Sequence, residues 1–142
     1  MNQYRYSLLL LFMISYCTLS QTRYKLPCDS TKNDTEGRIC VLEEFEKADK
    51  DLDNAYQRLL SKIRAYKTSL QGEDRTREEN IEKLIISSQK EWLEYRNSAY
   101  NIREKLFAGG SELSQVVSIE GTQLTRERIL EIEDLLVYYH AW

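Results

Sequence analysis

Apolar residues recur along most of this chain at alternating steps of three and four. The longest series is Ile81, Ile85, Ser88, Trp92, Tyr95, Ala99, Ile102 and Leu106, a helical stripe of heptad type. A second series, Leu52, Tyr56, Leu59, Ile63, Tyr66 and Leu70, has the same spacing, and Ile129, Ile132, Leu136 and Tyr139 predict a last helix. Ahead of them, Asp34 or Thr35 suits the N-cap of a short leading helix carrying Ile39, Cys40, Val41 and Phe45. The pattern leaves open whether the chain bends between this helix and the next, near Glu46 to Asp49.

The breaks between stripes are chemically marked. Gly72 suits a helix C-terminus, Asp74 or Thr76 the next N-cap, and Thr76 with Glu79 has capping-box spacing. The central helix is expected from about Arg75 to Phe107, about 45–50 Å long, which leaves open a kink or break whose place would be near Asn97 to Tyr100. Ala108-Gly109-Gly110-Ser111 stops it. Glu112 to Gln123 reads as loop with an apolar patch at Val116, Val117 and Ile119, and Thr125 as the N-cap of the last helix. A strand at 116–119 would have no partner. The aromatic end, Val137 to Trp142, either packs on the bundle or forms a tail. The expected fold is all-α: a small helical bundle of three main helices plus a short, disulfide-pinned N-terminal helix, in one domain over residues 21–142.

Gln89, Trp92 and Arg96 share one face of the central helix. A Trp flanked by Gln and Arg reads as a core anchor whose polar neighbours need partners, with a ligand site as the sharper alternative. Asp49, at the start of the facing helix, is the expected acceptor for Arg96.

Export changes the picture of the N-terminus. Arg5 followed by Leu8 to Ile14 and then Thr18-Leu19-Ser20 reads as a signal peptide, residues 1–20, cut before Gln21. The apolar run is too short to span a bilayer in a mature protein, which disfavours an uncleaved anchor. A lipoprotein cut before Cys17 is disfavoured by Tyr16, where a small residue is expected. Cleavage removes Arg5 and no acidic residue, so the formal charge moves from −3 to −4. That argues against nucleic acid and anionic membrane as partners and allows a basic one. Cys28 and Cys40 remain, and a single pair in an exported chain reads as a disulfide rather than two thiols, pinning an extended arm. The implied location is periplasmic or secreted.

Candidate chemistry is sparse. The only histidine, His140, lies two residues from the end. Carboxylate pairs such as Glu78-Glu79 have basic neighbours at helical spacing and read as solvated faces. Two cysteines and one distant histidine build no zinc site, and Gly109-Gly110-Ser111 lacks the rest of a phosphate loop. No catalytic, metal or cofactor-binding residue is assigned, so the chain is not expected to be an enzyme. The segment Gly109, Gly110, Ser111 and Glu112 is the candidate binding loop, exposed and adaptable.

The ordered set of motifs resembles one family. Cys28 and Cys40 precede Ala48-Asp49 with Leu52 and Tyr56; then come Gln89, Trp92, Tyr95 and Arg96, Gly109-Gly110-Ser111, and Thr125 with Arg128. Over about residues 28–136 this looks like the LprI-type lysozyme-inhibitor domain. The resemblance implies an exported helical protein that binds and inhibits lysozyme, with no catalytic residues. Three departures stand out. Asp53 replaces the family's usual Asn. Tyr100 stands where a cysteine is frequent, and another frequent cysteine, near Glu120 or Gly121, is also missing. The resemblance implies that those two form a second disulfide elsewhere, so the region from Gly109 to Thr122 is expected to be looser here. The expected partner is a protein, a basic c-type lysozyme or another cell-wall hydrolase. The alternative is an envelope structural or protein-interaction module that inhibits no hydrolase.

Overall fold

The protein is described by a computed structural model over residues 25–30, 33–107, 110 and 113–140. The expected signal peptide and its cleavage site lie outside these residues. A 3-10 turn, Pro27–Ser30, precedes three long helices: α1, Asp34–Thr68; α2, Gly72–Leu106; and α3, Leu113–His140. The architecture is all-α with three main helices, as the stripes predict. The Cys28–Cys40 disulfide fastens the turn to the first coils of α1.

Three expected boundaries are corrected. The short leading helix is not separate. Ile39, Cys40, Val41 and Phe45 belong to α1, which runs unbroken through Glu46 to Asp49. Val41, Ala48, Leu52, Ala55, Leu59 and Ile63 stay on one buried face throughout, and no breaker interrupts them. The cap is Asn33, whose Oδ1 accepts from the Glu36 N–H at 2.9 Å; Asp34 sits in the first turn, where its charge complements the helix dipole. At the next junction Gly72 takes a left-handed φ of 59°, which glycine adopts without steric cost. There is no capping box: Gln71 at the N-cap makes no side-chain bond, and the Thr76 hydroxyl donates back to the Gly72 carbonyl at 3.2 Å. α2 also carries no break at Asn97 to Tyr100.

The largest correction concerns α3. It begins at Leu113, so Thr125 is not an N-cap but lies mid-helix and fully buried. The stretch read as loop is helical because of what it faces. Ser118, Gly121, Thr122 and Thr125 form a stripe of small buried residues, and α1 and α3 make the most extensive helix contact. Ala48 and Ala55 of α1 are fully buried too. Small side chains on both helices permit this close approach. The hydroxyl of Thr122 is satisfied by the Ser118 carbonyl at 2.8 Å.

α1 and α3 run parallel: the Asp51–Arg126 and Arg58–Glu133 pairs both join positions 75 apart. α2 returns antiparallel to both. The core cluster is Leu52, Ala55, Leu59, Ile63, Ile132 and Leu136, with Tyr56, Ile85, Trp92, Ile129 and Tyr139 packed around it. The buried residues that α2 contributes are polar: Glu78, Gln89 and Arg96. Its attachment therefore rests on hydrogen bonds and ion pairs as much as on apolar burial.

Candidate functional site

Arg96 is the hub of the bundle's centre. It is 8% exposed and sits where α2 meets the α1–α3 pair. One guanidinium nitrogen, Nη1, pairs with the Asp49 carboxylate of α1 and donates to Thr125 Oγ1 of α3 at 2.9 Å. Nη2 reaches the other Asp49 oxygen at 3.5 Å. The planar cation lies 5.1 Å from the Trp92 ring, 5.7 Å from Tyr100 and 5.8 Å from Phe45. A guanidinium suits such a place, because its edge forks towards acceptors while its faces stack on rings. Its Nε has no acceptor among the described residues.

A second arginine joins α3 to α2. Arg128 Nε donates to the buried Gln89 Oε1 at 3.1 Å, Nη2 donates to Ser88 Oγ at 2.9 Å, and Nη1 pairs with Glu131 at 2.7 Å. Asp49, Gln89, Trp92, Arg96, Thr125 and Arg128, scattered over 80 positions of sequence, thus meet in two adjoining networks. Leu52 belongs to the apolar core beside them and Tyr56 packs against it. Burial raises the Tyr56 phenol above its ordinary pKa, against the pull of Arg64 and Arg128. Trp92 packs on the core cluster as a partly buried ring, its face given to Arg96.

Beside the hub is an open cleft of about 260 Å³ between α1 and α2, lined by Asp49, Leu52, Asp53, Tyr56, Gln89, Leu93 and Arg96. Asp53, the residue that departs from the family's Asn, stands at its edge and accepts from the Gln57 amide at 3.5 Å. Nothing lining this cleft is a nucleophile with an adjacent base. What it offers is hydrogen bonding and charge.

Residues that the sequence reading passed over complete the packing. Gly121 lies under Tyr100 and Phe45: an added Cβ would come within 2.5 Å of Phe45 Cε2 and 2.9 Å of Tyr100 Cζ. Tyr100 and Phe45 meet edge to face at 5.9 Å. Tyr100, where the resemblance places a further cysteine, thus lies over Gly121, one of the two positions near which it places the other. Leu113–Thr122 is helical, with Thr122 fully buried. Burial pushes the Tyr100 phenol up to about 12. At the other end of the bundle, Tyr139 donates to the buried Glu78 at 2.9 Å; burial and that carboxylate push its phenol up to about 12 as well. Neither pairing has a signal in sequence beyond the position of Tyr139 on its stripe.

Of the candidate binding loop, Gly110 is described: its N–H donates to Phe107 O at 2.9 Å and its carbonyl accepts from Leu113 at 3.3 Å. Gly109, Ser111 and Glu112 lie outside the described residues. Among the described residues no group of three or more His, Cys, Asp or Glu could hold a metal ion, and no helix is long and apolar enough to cross a membrane.

A protein-family model described as "Lysozyme inhibitor LprI" matches residues 28–132. No curated protein and no solved structure matches the chain.

Proposed function

Because the chain belongs to the LprI lysozyme-inhibitor family, we propose that it is an exported protein that binds and inhibits lysozyme or a related cell-wall hydrolase. The observation that carries this reading is the family match across residues 28–132, which spans all three helices. Inhibition on this reading is steric. The protein covers the hydrolase cleft and performs no chemistry of its own, so the requirement on it is a rigid, preorganised surface. The Arg96 and Arg128 networks supply that rigidity by locking α2 to its neighbours. The negative formal charge of the chain, −3, speeds encounter with a cationic enzyme, an effect screened over roughly 8–10 Å at physiological ionic strength. Secretion by way of residues 1–20, cut before Gln21, places the inhibitor where cell-wall hydrolases act.

The test is loss of turbidity of a bacterial cell-wall suspension under a basic c-type lysozyme, with and without the purified protein, at low and high salt. Inhibition that weakens with salt is expected. Undiminished lysis at every salt concentration in the presence of folded protein removes lysozyme as the target. A Gly110-Ser111→Pro-Pro variant examines the candidate loop, since proline removes the Gly110 N–H that Phe107 accepts. Reduced inhibition places the loop in the contact, and full inhibition acquits it.

A further inference from the structure

The α2–α3 side of the bundle carries an apolar groove that the described fold does not fill. Tyr95, Ala99 and Ile102 of α2 and Gln123, Leu124 and Glu127 of α3 line a trough of about 440 Å³. Tyr95 is 59% exposed, Ile102 60% and Leu106 67%. These three are the second half of α2's stripe. The first half, Ile81, Ile85 and Trp92, is partly buried against the other helices. A contiguous apolar strip of this kind on a small soluble domain marks an interaction surface.

The charges around the groove select its occupant. Arg103 and Glu120 neutralise each other across one end at 2.5 Å. At the Tyr95 end, Glu127 receives only the Gln123 amide, at 2.9 Å, and has no cationic partner among the described residues. With Arg103 and Glu120 paired, the groove joins an apolar floor to one carboxylate without a cationic partner, that of Glu127. A second copy of this chain would bring the same carboxylate against itself, and an anionic lipid surface would be repelled.

We propose that this α2–α3 groove is the docking face for a basic protein, taking one of its apolar side chains on Ile102 and Leu124 and an adjacent lysine or arginine against Glu127. The proposal rests on the reading of the partner as a cationic hydrolase and assigns that partner its surface.

The experiment is titration calorimetry of the purified protein into a basic c-type lysozyme, paired with the turbidity assay. The variants are Ile102→Glu, Glu127→Lys and Val137→Glu. Val137 is 64% exposed on α3 and does not line the groove, so it serves as the control face. Circular dichroism confirms that each variant folds. Ile102→Glu is expected to weaken binding about 50-fold or more. Glu127→Lys should weaken it about fivefold at low salt and less at high salt, and Val137→Glu should leave it unchanged. Wild-type inhibition retained in full by Ile102→Glu overturns the groove and leaves the hydrolase reading standing. A wild type that neither binds nor inhibits removes the hydrolase and the assigned occupant together. Sedimentation showing a wild-type dimer that Ile102→Glu dissociates, with lysozyme binding unaffected, gives the groove to a second copy and overturns the proposal.

Discussion

Replacing Arg96 by methionine tests whether the polar hub holds the bundle together. Methionine fills much of the stem volume, so the loss falls on the guanidinium. The hydroxyl of Thr125, fully buried, loses its charged donor, worth about 1–3 kcal/mol. The rings of Trp92, Tyr100 and Phe45 lose a cation at 5.1–5.8 Å, worth about 1–2 kcal/mol together in a desolvated setting. Asp49 contributes less to the loss, because its side chain is 40% exposed and water can take over from the arginine. The expected cost is about 3–4 kcal/mol, or roughly 10–20 °C in Tm for a domain of this size. Asp49→Ala leaves the cation buried with one neutral partner and should cost about 2–3 kcal/mol. The double variant should cost less than the sum by about 1–2 kcal/mol, since the two residues act on each other. Urea denaturation followed by tryptophan fluorescence and far-UV circular dichroism measures all four corners of the cycle. An Arg96→Met protein with an unchanged urea midpoint, or additive single effects, would refute the hub.

Gly121→Ala should destabilise by about 1–3 kcal/mol despite alanine's better helix propensity, because its Cβ collides with Phe45 and Tyr100; a raised melting temperature would show that the rings yield freely. Above neutrality, Tyr100 and Tyr139 hold protons that the unfolded chain releases near pH 10, since both phenols titrate at about 12 in the folded state. Their contribution is therefore complete below about pH 10 and is lost as pH rises to about 12, by at most about 2–3 kcal/mol per group. Urea midpoints across that window should fall, and fall less in Tyr100→Phe; a flat profile counts against the burial of these phenols. Reduction of Cys28–Cys40, which closes a separation of 12 residues, should cost about 3 kcal/mol, read as a drop in Tm with reductant; an unchanged Tm would show that the arm adds nothing to stability.

Helices written in apolar side chains were legible from the chain itself. α1 declares itself through Leu52, Leu59 and Ile63, all buried, and the end of α3 through Ile132 and Leu136. The first half of α3 did not, because its buried face is Ser118, Gly121, Thr122 and Thr125. Small and β-branched polar residues read as loop by local preference. They form helix here because they allow α3 to lie close to Ala48 and Ala55 of α1, a tertiary gain with no local signature. The Asp49–Arg96 pair was within reach, since a buried arginine must find an acceptor and the facing helix supplied one. Its third member, Thr125, was hidden by the misplaced start of α3.

The stripe on α2 teaches something different. Its period holds from Ile81 to Leu106, and such regularity argues for one continuous buried face. Yet the buried residues of α2 are Glu78, Gln89 and Arg96. A straight helix has 3.6 residues per turn, so a strict heptad series drifts around it by about 20° per repeat unless the helices supercoil to follow. From Ile81 to Leu106 is about three and a half repeats, so the drift reaches about 70°, and Tyr95, Ile102 and Leu106 stand exposed where Ile85 and Trp92 are partly buried. Arg103 instead comes round to meet Glu120 of α3. The apolar character of the last two turns of α2 is thus more than the bundle's own packing uses. Polar residues there would leave the described core unchanged, which is why Ile102, exposed like Leu106 in the described fold, is the side chain on which the docking proposal is tested.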